Sequence, residues 1–305
     1  MLSILIFKCN LSPIFSGSAH PLKGVGIMFL KSISLFVFIL FVSFGYAESS
    51  EQINPKVKVK IAPAGMVLIP KGPFYIGSSE KDIDWIVETF FAESRDWYLD
   101  ETPSQALYLK QFFIDKYEVT VGKYQKFLEE TRRTKPKYLD DPKYNSANQP
   151  IIGVTWQDAA DYCSWSGKRL PTEAEWEKAA RGDDGRRYPW GNSFDIKKAN
   201  IRGTKDSFRY SSPVGNFPEG QSPYGVMDMA GNVFEWTQDW YKPLPGNESE
   251  NDLYSQRLKV IKGGSWKANM DLARSALRGK QFPHQSTDHV GFRCVKSTDK
   301  IASLN

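Results

Sequence analysis

The chain has 305 residues, 41% of them hydrophobic and 25% charged, with a formal net charge of +5. That balance is ordinary for a folded protein and excludes a chain too polar to build a core. Lys8, Lys23 and Lys31 stand in residues 1–47 without any acid, so the remainder carries +2 and gives no reason to expect nucleic acid or an anionic lipid surface as a partner. Large rings are abundant, with nine Trp, fourteen Tyr and nineteen Phe. Side chains of that size can fill a core where regular helices and strands are few.

The N-terminus reads as a targeting signal. Ile33 to Phe44 is an almost unbroken apolar run, preceded by Lys31 and followed by Gly45-Tyr46-Ala47. This order predicts a secretory signal peptide within residues 1–47, cleaved after Ala47. Met28 directly precedes it and is the expected true start. The run is shorter than the ~20 apolar residues of a spanning helix. The alternative is an uncleaved anchor, the one route by which the chain would meet a membrane. Export, periplasmic or secreted, makes Cys163 and Cys294 a disulfide candidate. Two buried free thiols fit the residues alone equally well.

Residues 48–60 are polar and read as a flexible lead-in. Met66–Ile69 and Phe74–Ile76 read as strands around a turn at Pro70-Lys71-Gly72. A helix is predicted over Asp82–Trp97, then a strand over Phe112–Asp115 continuing through Tyr117–Val119. Thr120 can cap a helix running to about Glu130. Thr155…Asp158 and Thr172…Glu175 are capping boxes, with helices ending at Gly167 and Gly182. From Asp183 to Asp239 the chain is irregular and rich in Gly, Asn, Pro and aromatics, which points to loops held by something else, bound metal being one such holder. A surface loop at 241–256, short strands around Gly263-Gly264 and a polar tail at 298–305 complete a single domain over 61–297.

Several segments stand in a telling order. They include Gly65–Pro70, Asp100–Pro103, Ile114–Thr120, Gly167–Trp176, Tyr188–Gly191, Gly231–Trp236, Gly263–Trp266 and Gly291–Cys294. Together they resemble the sulfatase-modifying-factor family, whose best-known member is the formylglycine-generating enzyme. The resemblance implies a compact α+β, C-type-lectin-like fold, low in regular secondary structure and stabilised by calcium.

It also implies site residues. Asn200, Ile201, Asp206 and Phe208 fall on one set of calcium positions, with Asn200 and Asp206 acting through side-chain oxygens and the other two through carbonyls. Asp228, Gly231, Val233 and Glu235 fall on a second set. Calcium takes six to eight oxygens and accepts backbone carbonyls from irregular loops. Cys163 and Cys294 match two cysteines that form a structural bridge in the enzyme.

The enzyme is a copper-dependent oxidase whose two catalytic thiols fall just after the Gly-Gly-Ser segment. Soft sulfur ligands select Cu(I). Here Gly263–Arg278 contains no cysteine and has Ala268 and Ala273 among its residues, so copper is not expected. His284 and His289 are a weak metal pair, and Met270 alone makes no copper site. Zinc-protease, nucleophile-elbow and phosphate-loop motifs are absent, as is the sugar-binding signature of lectins. Two readings follow. One is an exported binding or accessory module whose cleft, near Ser265, Trp266, Arg274 and Arg278, takes a peptide, protein or saccharide. The other is an oxidoreductase acting on an exported client through an unrecognised site.

Overall fold

Hydroxyl caps fix where the helices begin. The computed structural model describes residues 62–203, 208–254 and 256–298. The targeting segment, the lead-in, Asp206 and residues 299–305 lie outside the described residues. Helix α1 spans Glu80–Phe90, α2 Val121–Thr131, α3 Trp156–Trp165 and α4 Glu173–Arg181. Thr155 Oγ1 accepts from Asp158 N at 3.2 Å while the Asp158 carboxylate accepts from Thr155 N at 3.0 Å. Thr172 and Glu175 repeat that exchange on α4, so the free backbone donors of both first turns are satisfied. Helix α1 starts on a third such box, Ser79 with Asp82. It is shorter than the sequence predicts, because Phe91 turns left-handed at φ 52° and a 3₁₀ turn takes over at Arg95–Glu101.

The strands are short. β1 is Met66–Ile69, β2 Gly72–Ile76, β3 Gln105–Leu109, β4 Phe112–Asp115, β5 Phe234–Trp240, β6 Lys259–Lys262, β7 Gly279–Gln281, β8 Val290–Gly291 and β9 Val295–Ser297. The turn at Pro70–Gly72 separates β1 and β2 instead of pairing them. β1 joins β4 and β9 in one antiparallel sheet, and β2 pairs with β3 in another. The third sheet runs β7-β6-β5-β8, with β5 and β8 parallel. Tyr117–Val119 is not strand, and β5 emerges from the end of the stretch that reads as irregular. β9 occupies Val295–Ser297, and Thr298, where the polar tail was expected to begin, is 3% exposed.

Cys163 on α3 and Cys294 beside β9 form a disulfide inside the main core, among Tyr124, Phe127, Tyr162 and Phe292. A second core packs Trp176 of α4 against Ile69, Ile114, Met229 and Val295. Between the cores run buried ion pairs. Glu235 of β5 and Arg293 are both 0% exposed, and Arg293 Nε and Nη2 donate to the two carboxylate oxygens at 2.7 Å. Trp176 Nε1 adds a third bond to the same carboxylate at 2.8 Å.

Two measurements test these features. The disulfide spans 131 residues, and on the chain-entropy model a loop of that order contributes about 5 kcal/mol. Cys163→Ser is therefore expected to lower the urea midpoint strongly; two reactive thiols in denatured, unreduced protein would remove the bridge. Arg293→Met is expected to cost about 3–5 kcal/mol by stranding a buried carboxylate, and adding Glu235→Leu to recover part of that loss. Strictly additive losses in the double variant would disprove the coupling.

Candidate functional site

Asn232 is the junction from which the site is built. It follows Gly231, where φ is +79° and a Cβ would lie 2.3 Å from the Asn200 carbonyl oxygen, so only glycine permits the approach. Asn232 N donates to Asn200 O at 2.7 Å, and Trp266 N donates to Asn232 O at 2.9 Å. The Asn232 side chain accepts from Ser212 N at 2.9 Å and donates to Glu118 Oε1 at 2.9 Å. One residue thus ties the loop at Asn200, the Gly263–Trp266 loop and the turn before α2.

The first set of calcium positions retains a free acceptor. Asn200 is 1% exposed; its Nδ2 donates to Tyr210 O at 2.9 Å, and its Oδ1 is buried with no hydrogen-bond partner among the described residues. A buried oxygen without a partner is costly unless a donor or cation meets it, so the donor chemistry here fits a hard cation. Ile201 and Phe208 flank it in sequence, while Asp206 lies outside the described residues.

The second set is divided. Glu235 has its carboxylate taken by Arg293 and Trp176 and does not fit as a cation ligand. Asp228 is buried and accepts from Gly215 N at 2.6 Å. Beside it lies Glu118, fully buried, whose carboxyl group shares a hydrogen bond with that of Asp228. Burial, then the Asp228 charge, pushes the Glu118 carboxyl well above the usual range. Burial likewise raises Asp228. Glu118 was not singled out by the sequence, although it stands in the Tyr117-Glu118-Val119 segment that carries the resemblance.

The Gly263–Arg278 segment wraps tightly. A Cβ on Gly264, at φ +76°, would meet Leu272 O at 2.7 Å. Ala268 and Ala273 are buried, at 4% and 0% exposure. The cleft residues expected from sequence do not gather. Ser265 is buried at 1%, Arg274 forms a bidentate pair with Glu101 at 2.7 Å, and Arg278 pairs with Glu173 at 2.6 Å. Both guanidinium groups are buried against carboxylates, because a buried guanidinium needs a buried carboxylate. Arg278 borders one pocket of about 490 Å³ beside Glu173 and Lys242, while Trp266 reaches a separate one of about 510 Å³, shared with Ile201, Arg202, Phe208, Arg209 and Lys267. Arg202, Arg209 and Lys267 are exposed, and Lys267 is held by Asp288 at 2.6 Å. Arg202 and Arg209 adjoin the residues assigned to calcium, so the signal for them lay in the same short segments. Such a pocket can bind and orient a ligand by cationic hydrogen bonds. His289 instead contacts Asp288 at 3.1 Å, and His284 packs on Phe282.

Known proteins share this architecture. A bovine (Bos taurus) protein named inactive C-alpha-formylglycine-generating enzyme 2 is 31% identical over 292 residues, covering 77% of this chain and 89% of that protein. A serine/threonine-protein kinase, pkn1, of Chlamydia caviae is 35% identical over 233 residues, 68% of this chain. This chain spans only 36% of that kinase's length. The solved structure of PvdO from Pseudomonas aeruginosa is 29% identical, with a TM-score of 0.62 over 76% of this chain and 94% of PvdO. The α+β, C-type-lectin-like fold is common to them. The family model for the sulfatase-modifying factor enzyme 1-like domain matches residues 51–298, and the chain belongs to that family.

Proposed function

We propose that the domain is an exported, calcium-stabilised binding or accessory module, not an oxidase, and that its ligand enters the pocket at Trp266. The observation that carries this reading is the pair of buried methyl side chains, Ala268 and Ala273, in the segment where the resemblance puts catalytic thiols. Cys163 and Cys294 are joined to each other inside the core and supply no free thiol. Bound thiols of this kind persist in oxidising compartments, which supports export. The name of the bovine relative supports a member of the family without that activity. Calcium is proposed at Asn200, whose buried Oδ1 has no other partner among the described residues; bound there, it would hold the Asn200 loop against Gly231 and Asn232.

The calcium proposal has a direct measure. A ligand present at a hundred times its dissociation constant adds about 2.7 kcal/mol to the native state. For a domain of this size chelation should lower the melting temperature by about 5 to 10 °C. Asn200→Ala should remove most of that shift, and identical melting curves with and without chelator would end the calcium assignment. The accessory reading is tested by incubating the protein with copper, oxygen and a cysteine-bearing client peptide. No aldehyde should form; its appearance would make the domain an oxidase.

A further inference from the structure

Of the three cationic side chains that line the Trp266 pocket, only Lys267 has a carboxylate partner among the described residues. Nine described arginines reach a carboxylate within 3.0 Å: those of the buried pairs and several at the surface. Arg202 and Arg209, which line the pocket, have no carboxylate partner among the described residues. Pairing is the habit of this molecule; among the described arginines outside that habit, Arg202 and Arg209 share one concave surface.

The aromatic cluster to which Trp266 belongs adds a second observation. Tyr210 and Trp266 meet edge to face, with ring centroids 5.4 Å apart at 79°, and Tyr144 packs on Tyr210 at 5.2 Å. Their faces are capped by cations. Lys267 Nζ sits 4.8 Å over the Trp266 ring, while Arg209 and Lys143 each lie 5.8 Å from the Tyr210 ring centroid. Cation–π contact of this kind positions the charged heads while leaving their N–H groups free to donate. What the pocket presents is therefore positive charge with directed donors beside the Trp266 ring.

We propose that this pocket is a carboxylate-binding site for an acidic peptide segment of the partner, with Arg202 and Arg209 as its two charge-bearing donors. The assignment rests on the reading of the domain as a binding module and names the ligand class for it. Guanidinium groups suit the role because their planar fork matches a carboxylate in a way that an ammonium does not. Two free guanidinium groups on one wall favour a segment with neighbouring acidic side chains over an isolated anion. Lys267, already held by Asp288, contributes chiefly by fixing Trp266.

The test uses the full purified protein and a fluorescein-labelled hexaglutamate peptide, followed by fluorescence anisotropy. Hexaglutamate should bind while hexalysine does not, and the affinity should fall as salt rises, as it must for exposed charges. The Arg202→Gln/Arg209→Gln double variant should lose affinity about tenfold or more. Both side chains are exposed, so its melting temperature should not change. Arg132→Gln, at the end of α2 and outside the pocket wall, should bind as the unaltered protein does. No binding of hexaglutamate, or equal binding by the double variant, would overturn the proposal. Binding of trigalacturonate with hexaglutamate inert would also overturn it, replacing peptide by saccharide while the binding-module reading stood. Aldehyde formation in the copper assay would instead overturn that reading, whatever the anisotropy showed.

Discussion

The guanidinium of Arg293 is the group on which the site region depends. Its Nε and Nη2 hold the Glu235 carboxylate, Nη1 donates to the carbonyls of Asp115 and Lys116 at 3.2 Å, and Nη2 reaches Met227 O at 2.8 Å. One side chain thereby joins the end of β4, the loop before Gly231 and strand β5. Its donors form a planar fork that no lysine could reproduce. The arrangement also explains why Glu235 is unsuited to a cation: a positive charge already occupies that role.

Other arginines extend the same device to irregular backbone. Arg181 donates to the carbonyls of Gly77, Gly185 and Arg186 as well as to Glu177. Arg278 reaches Asp100 O and Lys242 O while pairing with Glu173. Where the chain forms few ladders, its buried carbonyls still need donors, and these side chains supply them. Each buried charge is tolerated because a carboxylate is fixed beside it, and each loop is placed because the guanidinium has several directions to satisfy. The pocket at Trp266 sits on this frame, positioned through Asn232 and Gly231.

How much of this could be read in advance depended on the range of the interaction. The boxes at Thr155 and Thr172 close within four residues, and both helices lie where those residues put them. The family resemblance, a matter of many short motifs in order, yielded the fold and the pairing of Cys163 with Cys294. Arg274 and Arg278 gave no such local sign of their ion pairs. Their partners Glu101 and Glu173 lie 173 and 105 positions away, beyond any local pattern. The same holds for β3, whose alternation of half-buried and exposed residues makes no long apolar run. Glu118 is a further case: nothing in its neighbours shows that Asp228 will be brought against it.

The first sheet has a bearing on how the chain comes to fold. β4 lies between β1 and β9, so the strand nearest the start of the domain is joined through it to the one nearest its end. Arg169 also bridges to Val295, and Cys294 closes the bridge to α3 in the same stretch. A ribosome delivers the N-terminal portion first, yet this core cannot be completed until residues 290–297 are available. Contacts so distant in sequence also make for slow closure. The β2–β3 pair, contained within residues 72–109, can form early, whereas the sheet through β4 and the disulfide core close only in a late step.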